Sequence, residues 1–345
     1  MNNVINISGR LIGDGHPPYV IAEAAISHQG KIEIAKKMVY IAHAMGCDAI
    51  KFQMHVLDNE MLEEVPLSEN FSESLYDTLY KTNLTNEEHI ELKNLCENLG
   101  IDYLCTPFSF DAADILSDMG VIAFKTGSGE LTNLPLIEHI AKKGRPMIIS
   151  TGMALIEEIE ETVNLVKKIG VPFALTHCVS AYPCPYNRVN LDNIPRYKST
   201  FQVPVGLSDH SIGIYTSIGS VALGSCVIEK HFTLDKLQVG PDHAVSLEPY
   251  ELGELVKGCR AVFEARGSVR EIFPEEKPII AWARESVVSL VDIEPGDTIG
   301  AQMVWVKRPS PKEGGIPAKD LATVIGRQAK VKIPKNTQLF WKQLL

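Results

Sequence analysis

Along the first two thirds of the chain, short and mostly apolar runs alternate with longer segments whose apolar residues recur at helical spacing. The short runs predict strands at Val20 to Ala24, Ala49 to Gln53, Asp102 to Thr106, Ala123 to Thr126, Pro146 to Thr151, Phe173 to Cys178, Val203 to Ser208 and Cys226 to His231. The segments between them, such as IEIAKKMVYIAHAMG, EEHIELKNLCENLG, LPLIEHIAKKG and IEEIEETVNLVKKIG, predict helices, several closed by the Gly that commonly stops one. Strands alternating with helices in this way predict an α/β fold, a closed parallel (β/α)8 TIM barrel, because each parallel crossover lays a helix on the outside.

One spacing departs from this rhythm. About 50 residues separate the second and third strands, and the first part of that gap, HVLDNEMLEEVPLSENFSESLYD, is polar with weak periodicity, which makes it a candidate lid. After a last helical segment, PYELGELVKGCRAVFEARG, the pattern changes. Residues 1–270 are read as the barrel domain, the charged, Pro-containing stretch 271–283 as a linker, and 284–345 as a small, mostly β domain. The β-like runs of that domain are SVVSLV, MVWVKRP and ATVIGRQAKV, set apart by the turn signals EPGD and KEGG.

Composition narrows the partners. The 345-residue chain carries a formal charge of −10, so neither nucleic acid nor an anionic membrane is attracted over long range, and an anionic substrate needs local cations. Seven cysteines without a CxxC pair read as reduced thiols, no apolar run approaches a membrane span, and the N-terminal MNNVINISGR has no signal-peptide pattern. A cytoplasmic location is expected.

A barrel enzyme places its chemistry at the C-terminal strand ends. Those ends hold Glu23, Lys51 with Gln53, Thr106, Lys125, Ser150, Ser180 just past the sixth strand, Ser208 with His210, and His231. Lys51 in DAIKFQ and Lys125 in IAFKTGSGE interrupt apolar strands, where an unpaired ammonium is costly to bury. Either a barrel carboxylate such as Glu23 or Glu229 compensates them, or they join Thr106, Ser128, Ser150 and Ser208 in a cradle for a phosphate and a carboxylate. His210 in GLSDHS and His231 in IEKHFT end consecutive strands, side by side at the mouth, and suit a shared divalent cation: Mn2+ foremost, with Mg2+ or Co2+ as alternatives. His177, inside an apolar strand, reads as structural.

VIAEAAISHQG, AIKFQ, LCTPFS, FKTGSGE, IISTGM, HCVSAYP, VGLSDHS, VIEKHFTLDK, GPDHAVSLEP and VKRP, in this order over nearly the whole chain, resemble the sialic acid synthase family. The terminal segment resembles the antifreeze-like (SAF) domain that the family appends to its barrel. The resemblance implies that Lys51, Lys125, Gln53, Thr106, Ser128, Ser150 and Ser208 hold phosphoenolpyruvate, and that His210 and His231 bind the metal. It places Glu23, Glu130, Tyr182 and Asp242 around an N-acylated amino sugar and the attacking water, with Ser180 at the same mouth. It also implies a domain-swapped homodimer in which Arg308 reaches the sugar's acyl group in the other subunit.

Two departures stand out. The family motif carries Ile-Gly or Ala-Gly after the glutamate and Asn before the histidine, whereas this chain has Ala24, Ala25 and Ser27; a neuraminate-type member carries Asn where Ser180 stands. The acceptor suits N-acetylmannosamine, its phosphate or the diacetylated sugar leading to legionaminate. A non-catalytic carbohydrate-binding protein on a dead barrel is the rival from another class; Lys51, Lys125, His210, His231 and both candidate bases argue against it.

Overall fold

The computed structural model describes residues 4–64 and 73–345, and the chain divides into two compact units, Met1–Gly267 and Ser268–Leu345. In the first unit a hairpin of β1 (Val4–Ile7) and β2 (Arg10–Gly13) precedes eight parallel strands: β3 (Tyr19–Glu23), β4 (Ala49–Met54), β5 (Asp102–Pro107), β6 (Phe124–Thr126), β7 (Met147–Ser150), β8 (Phe173–Cys178), β9 (Val205–Asp209) and β10 (Val227–His231). Their order is β5-β4-β3-β10-β9-β8-β7-β6, with β5 and β6 lying against one another to close the barrel. Each of the eight expected strands is present, displaced by no more than two or so residues at its ends.

Strand alternation sorts these side chains into three groups. Facing outward, Val20, Ile50, Phe52, Tyr103, Phe124, Ile149, Leu175, Leu207 and Ile228 are buried under the helices. Facing inward near the N-terminal ends, Ile21, Ala49, Leu104, Ala123, Ile148, Ala174 and Val227 form an apolar floor. Two residues further along the inward face come Glu23, Lys51, Thr106, Lys125, Ser150, Thr176 and Glu229, buried and polar. The same period of two thus yields a dry plug below and a polar chamber above.

The N-terminal hairpin has no counterpart in the expected elements. Ser8 and Gly9 both have positive φ (51° and 85°), as a tight hairpin turn requires, and Asn6 Oδ1 accepts from Gly9 N at 2.8 Å. Its Ile5, Ile7 and Ile12 pack onto the apolar floor and seal the barrel's base. Arg10 anchors it, 2.8 Å from the buried Asp48, whose other oxygen accepts from Val20 N.

The candidate lid falls partly on residues 65–72, outside the described residues. Its described flanks hold the one-turn helix Leu57–Asn59 and the helix Leu75–Thr82, which Ser74 caps; Leu57 and Leu79 pack with Ile26 of the loop after β3. Ahead of β5, the helix Asn86–Leu99 opens on a full capping box between Thr85 and Glu88 and closes on Gly100, as its sequence predicts.

In the second unit, β11 (Ser286–Ser289) pairs antiparallel with β12 (Val304–Lys307), and single bridges tie the rest around Val287, Ile293, Ile299, Val304, Ile316, Ile333 and Leu339. Two expectations change here. The stretch 271–283, read as a linker, contains the helix Glu276–Ala283, which belongs to this unit: Ser310 donates from its backbone to Ala281 O (3.2 Å) and from its hydroxyl to Ile280 O (2.7 Å). ATVIGRQAKV is no strand, since Leu321–Val324 is a helical turn and Gln328 and Ala329 make isolated bridges. A small core is filled by such turns as readily as by strands.

Candidate active site

Adjacent strands bring four charged side chains into the polar chamber. Cα pairing sets Lys51 beside Glu23 and Glu23 beside His231. Lys51 Nζ lies 2.7 Å from Glu23 Oε2, 3.1 Å from Thr106 Oγ1 and 4.0 Å from Glu229 Oε1. Lys125 Nζ lies 3.5 Å from Glu229 Oε2, 2.6 Å from Ser150 Oγ and 3.0 Å from the carbonyl of Thr126. Ser208 donates to Glu229 Oε1 at 2.9 Å, and Ser150 is 2.9 Å from Thr176 Oγ1. The ion-pair compensation weighed from the sequence is present, both lysines lying against carboxylates, and the hydroxyls of Thr106, Ser150 and Ser208 lie against the same four side chains.

The electrostatics leave that chamber short of negative charge. Burial works against the Glu229 carboxylate, but Lys125, Lys51 and the Ser208 hydroxyl outweigh it and hold its pKa down to about 2. Burial dominates at Glu23 and pushes it up to about 7 although Lys51 pulls the other way, with Glu229 adding repulsion. Burial also lowers the Lys125 pKa while the carboxylates raise that of Lys51, so near neutral pH the two lysines face one firmly ionised carboxylate and one that is partly protonated. An incoming anion meets surplus positive charge.

Glu130 lies on the loop after β6, where missing side chains make room. A Cβ on Gly127 would come within 2.4 Å of Glu130 Oε2, and one on Gly152 within 2.4 Å of Ser180 Oγ and 2.6 Å of Ser128 Oγ. The GSGE and STGM motifs thus gather Ser128, Glu130 and Ser180 at the same rim. Burial pushes the Glu130 carboxyl up from an ordinary 4.5 to about 7, and its Oε2 has no hydrogen-bond partner among the described residues. Such a group suits proton transfer near neutral pH. It also weakens the fold: the native state holds the proton more tightly than the unfolded chain, so stability is lost as pH rises from about 4.5 to about 7. Glu130→Gln should therefore stabilise the protein by roughly 2–3 kcal/mol at pH 8 and by almost nothing at pH 4, read by urea unfolding.

His210 and His231 stand side by side, ring centroids 5.4 Å apart, with Tyr182 packed 4.1 Å from His210 and 5.7 Å from His231. His210 Nδ1 donates to Val179 O at 2.9 Å, so in the neutral ring Nε2 is the nitrogen that carries the lone pair. His231 Nδ1 is buried without a hydrogen-bond partner among the described residues and lies 3.9 Å from Asp242 Oδ2. Burial, then the neighbouring His210 and Lys51, press the His231 pKa well below its usual range. Asp242 is pushed by burial up to about 6. Among the described residues no group of three His, Cys, Asp or Glu side chains converges closely enough to hold a metal ion alone. A cation here would rest on the two imidazoles, with water or substrate oxygens to complete it.

Gln53 takes its expected place on the inward face of β4, paired with Thr106 of β5. His177 bonds Val189 O at 2.6 Å, a structural role. Arg308 is exposed in the second unit, its guanidinium 5.6 Å from the Trp282 ring centroid. Ala25, which replaces the family's Gly, sits at φ 43°, the left-handed region where a Cβ costs about 1–2 kcal/mol; the loop keeps a glycine-like conformation. Thr176 was missed from the sequence, and Glu229 was seen only as a possible ion-pair partner. The alternation in IEKHF puts Glu229 on the face of His231 and turns Lys230 outward to Asp209, 3.0 Å away, and that was the legible signal.

A closed barrel with a buried cationic chamber and paired imidazoles at its mouth is the architecture of an enzyme acting on a small anionic substrate. The chain matches the NeuB family over residues 38–271 and the SAF domain over residues 284–345, and it belongs to the NeuB family. It is a transferase of the kind that condenses phosphoenolpyruvate with a sugar. N,N'-diacetyllegionaminic acid synthase of Legionella pneumophila is 35% identical over 338 residues, 94% of each chain. Human N-acetylneuraminate-9-phosphate synthase is 36% identical over 335 residues, covering 95% of this chain and 93% of the human protein. Among solved structures, the N-acetylneuraminic acid synthetase of Leptospira borgpetersenii, in complex with citrate, superposes with a TM-score of 0.73 at 33% identity, over 81% of this chain and 96% of that one. No helix among the described residues is long and apolar enough to cross a membrane.

Proposed function

We propose that the protein condenses phosphoenolpyruvate with an N-acylated amino sugar, N-acetylmannosamine or a relative, to a nine-carbon 2-keto acid with release of phosphate. The observation that carries this reading is the pair of buried lysines, Lys51 and Lys125, set around Glu229 beneath two imidazoles and a carboxyl tuned to about 7. Lys51, Lys125, Thr106, Ser128, Ser150 and Ser208 hold the phosphate and carboxylate and orient C3 toward the sugar. A divalent cation on His210 and His231 would supply Lewis acidity to the aldehyde oxygen of the open-chain sugar. Tyr182, Asp242 and Ser180 line the acceptor side.

The bond formed joins C3 of phosphoenolpyruvate to C1 of the sugar as the aldehyde C=O π bond opens and its oxygen takes up a proton to become a hydroxyl, leaving positive charge at C2. Water adds to C2, its proton passing to the carboxylate of Glu130 or Glu23, and the C2–O bond then breaks to expel phosphate, with Lys51 and Lys125 stabilising the leaving charge. Bridging-oxygen-labelled phosphoenolpyruvate tests the reading against N-acetylmannosamine, its 6-phosphate and the diacetylated dideoxy sugar in turn. Label should appear in inorganic phosphate with one of these acceptors. Label kept in the keto acid means attack at phosphorus and removes the roles given to Glu130 and Glu23.

The proposal extends to assembly as a reciprocal homodimer in which Arg308 serves the partner's barrel. Mixed Arg308→Ala and Lys51→Ala chains should then regain part of the activity that each lacks alone.

A further inference from the structure

Lys51, Gln53 and His55 alternate along β4 and its continuation, so all three side chains leave the same face. His55 is 7% exposed, and its ring lies against Phe108 with centroids 4.5 Å apart and planes at 14°. Both ring nitrogens meet oxygens: Nδ1 is 2.8 and 3.0 Å from the two carboxylate oxygens of Glu60, and Nε2 is 3.1 Å from Gln53 Oε1. The Glu60 side chain is itself only 7% exposed, and Asn83 Nδ2 fixes the backbone by donating to His55 O at 2.8 Å. Each side of the ring thus meets an oxygen, Glu60 at Nδ1 and the Gln53 amide carbonyl at Nε2.

The consequence falls on Gln53. With its carbonyl engaged by His55, the amide turns its nitrogen, which bears two donors, toward the chamber that holds Lys51. An amide free to rotate would offer its oxygen to the chamber as readily as its nitrogen, and an anion is repelled by the former. We propose that Glu60 and His55 are positioning residues that hold the donor end of Gln53 toward substrate, where it receives an anionic oxygen of phosphoenolpyruvate. This inference rests on the synthase reading above.

A double-mutant cycle tests it, read in KM for phosphoenolpyruvate and in calorimetric binding of phosphoenolpyruvate alone. Glu60→Gln, which keeps the side-chain shape, and His55→Gln should each raise KM by about tenfold while kcat stays within about twofold. Gln53→Ala should raise KM similarly, and adding Glu60→Gln to Gln53→Ala should change it by less than about twofold, because nothing is left to orient. Effects that multiply in the double variant, or a fall in kcat with KM unchanged, overturn the proposal. The Glu60→Gln arm decides the matter even where His55→Gln fails to fold. A wild-type protein that neither binds phosphoenolpyruvate nor releases phosphate from it refutes the synthase reading itself, a result separate from an additive cycle in an active enzyme.

Discussion

Lys125→Met should abolish at least about a thousandfold of phosphoenolpyruvate-dependent turnover and cost about 3–5 kcal/mol of stability, for two separable reasons. The activity loss follows from removing a buried ammonium that would face the transferred phosphate. The stability loss follows from Glu229, which is 6% exposed and loses its strongest counter-charge when Lys125 goes. Lys125→Met combined with Glu229→Gln removes the stranded carboxylate and should recover most of the stability, measured by urea unfolding, while phosphate release stays at the level of the single variant. Recovery of turnover in the double variant would show that Lys125 only balances charge. Persistent instability would show that its packing, not its charge, is what the barrel needs.

The second large effect concerns the imidazole pair. Chelation should reduce turnover to background and Mn2+ should restore it, and His210→Ala or His231→Ala should each cost about a thousandfold or more in kcat/KM. The expected cost to the fold is small beside that, about 1–2 kcal/mol: among the described residues His231 Nδ1 makes no hydrogen bond, and His210 Nδ1 serves the Val179 carbonyl and a long contact to Cys178 Sγ. Calorimetric titration with Mn2+ gives a readout independent of catalysis, with binding present in the wild type and lost in both variants. Full activity in excess chelator, or unaltered Mn2+ binding by the variants, would overturn the assignment.

The histidines were visible because each follows directly on an apolar run and the two runs are consecutive, so a parallel barrel must set them side by side. For Lys125 the sequence offered Glu23 or Glu229 as a compensating carboxylate, and which of them faces it was not visible. Lys125 and Glu229 are far apart in sequence, on strands that do not pair with each other, and they meet only because the closed barrel turns both inward. The hairpin of Val4–Ile7 and Arg10–Gly13 escaped for a related reason: its strands are four residues each, and their apolar positions make sense only once an open barrel base exists for them to fill. His55 and Glu60 lay in a stretch that reads as polar and irregular, yet both side chains are buried because a single turn folds the one back onto the other.

What the sequence determined by itself was the period: apolar runs of strand length, helical segments between them, Gly stops, and a polar residue at each strand's end. Those are local properties, set by backbone geometry and by which face of each element must leave water. What only the tertiary structure decided was which inward-facing residues share a layer, and therefore which charges compensate which. Barrel closure fixes strand stagger, and stagger places Glu23, Lys51, Lys125 and Glu229 within contact range in a medium that screens them weakly. Burial then sets Glu23 and Glu130 near 7 while two ammonium groups hold Glu229 near 2, so carboxylates of one chemical type acquire opposite protonation behaviour from position alone.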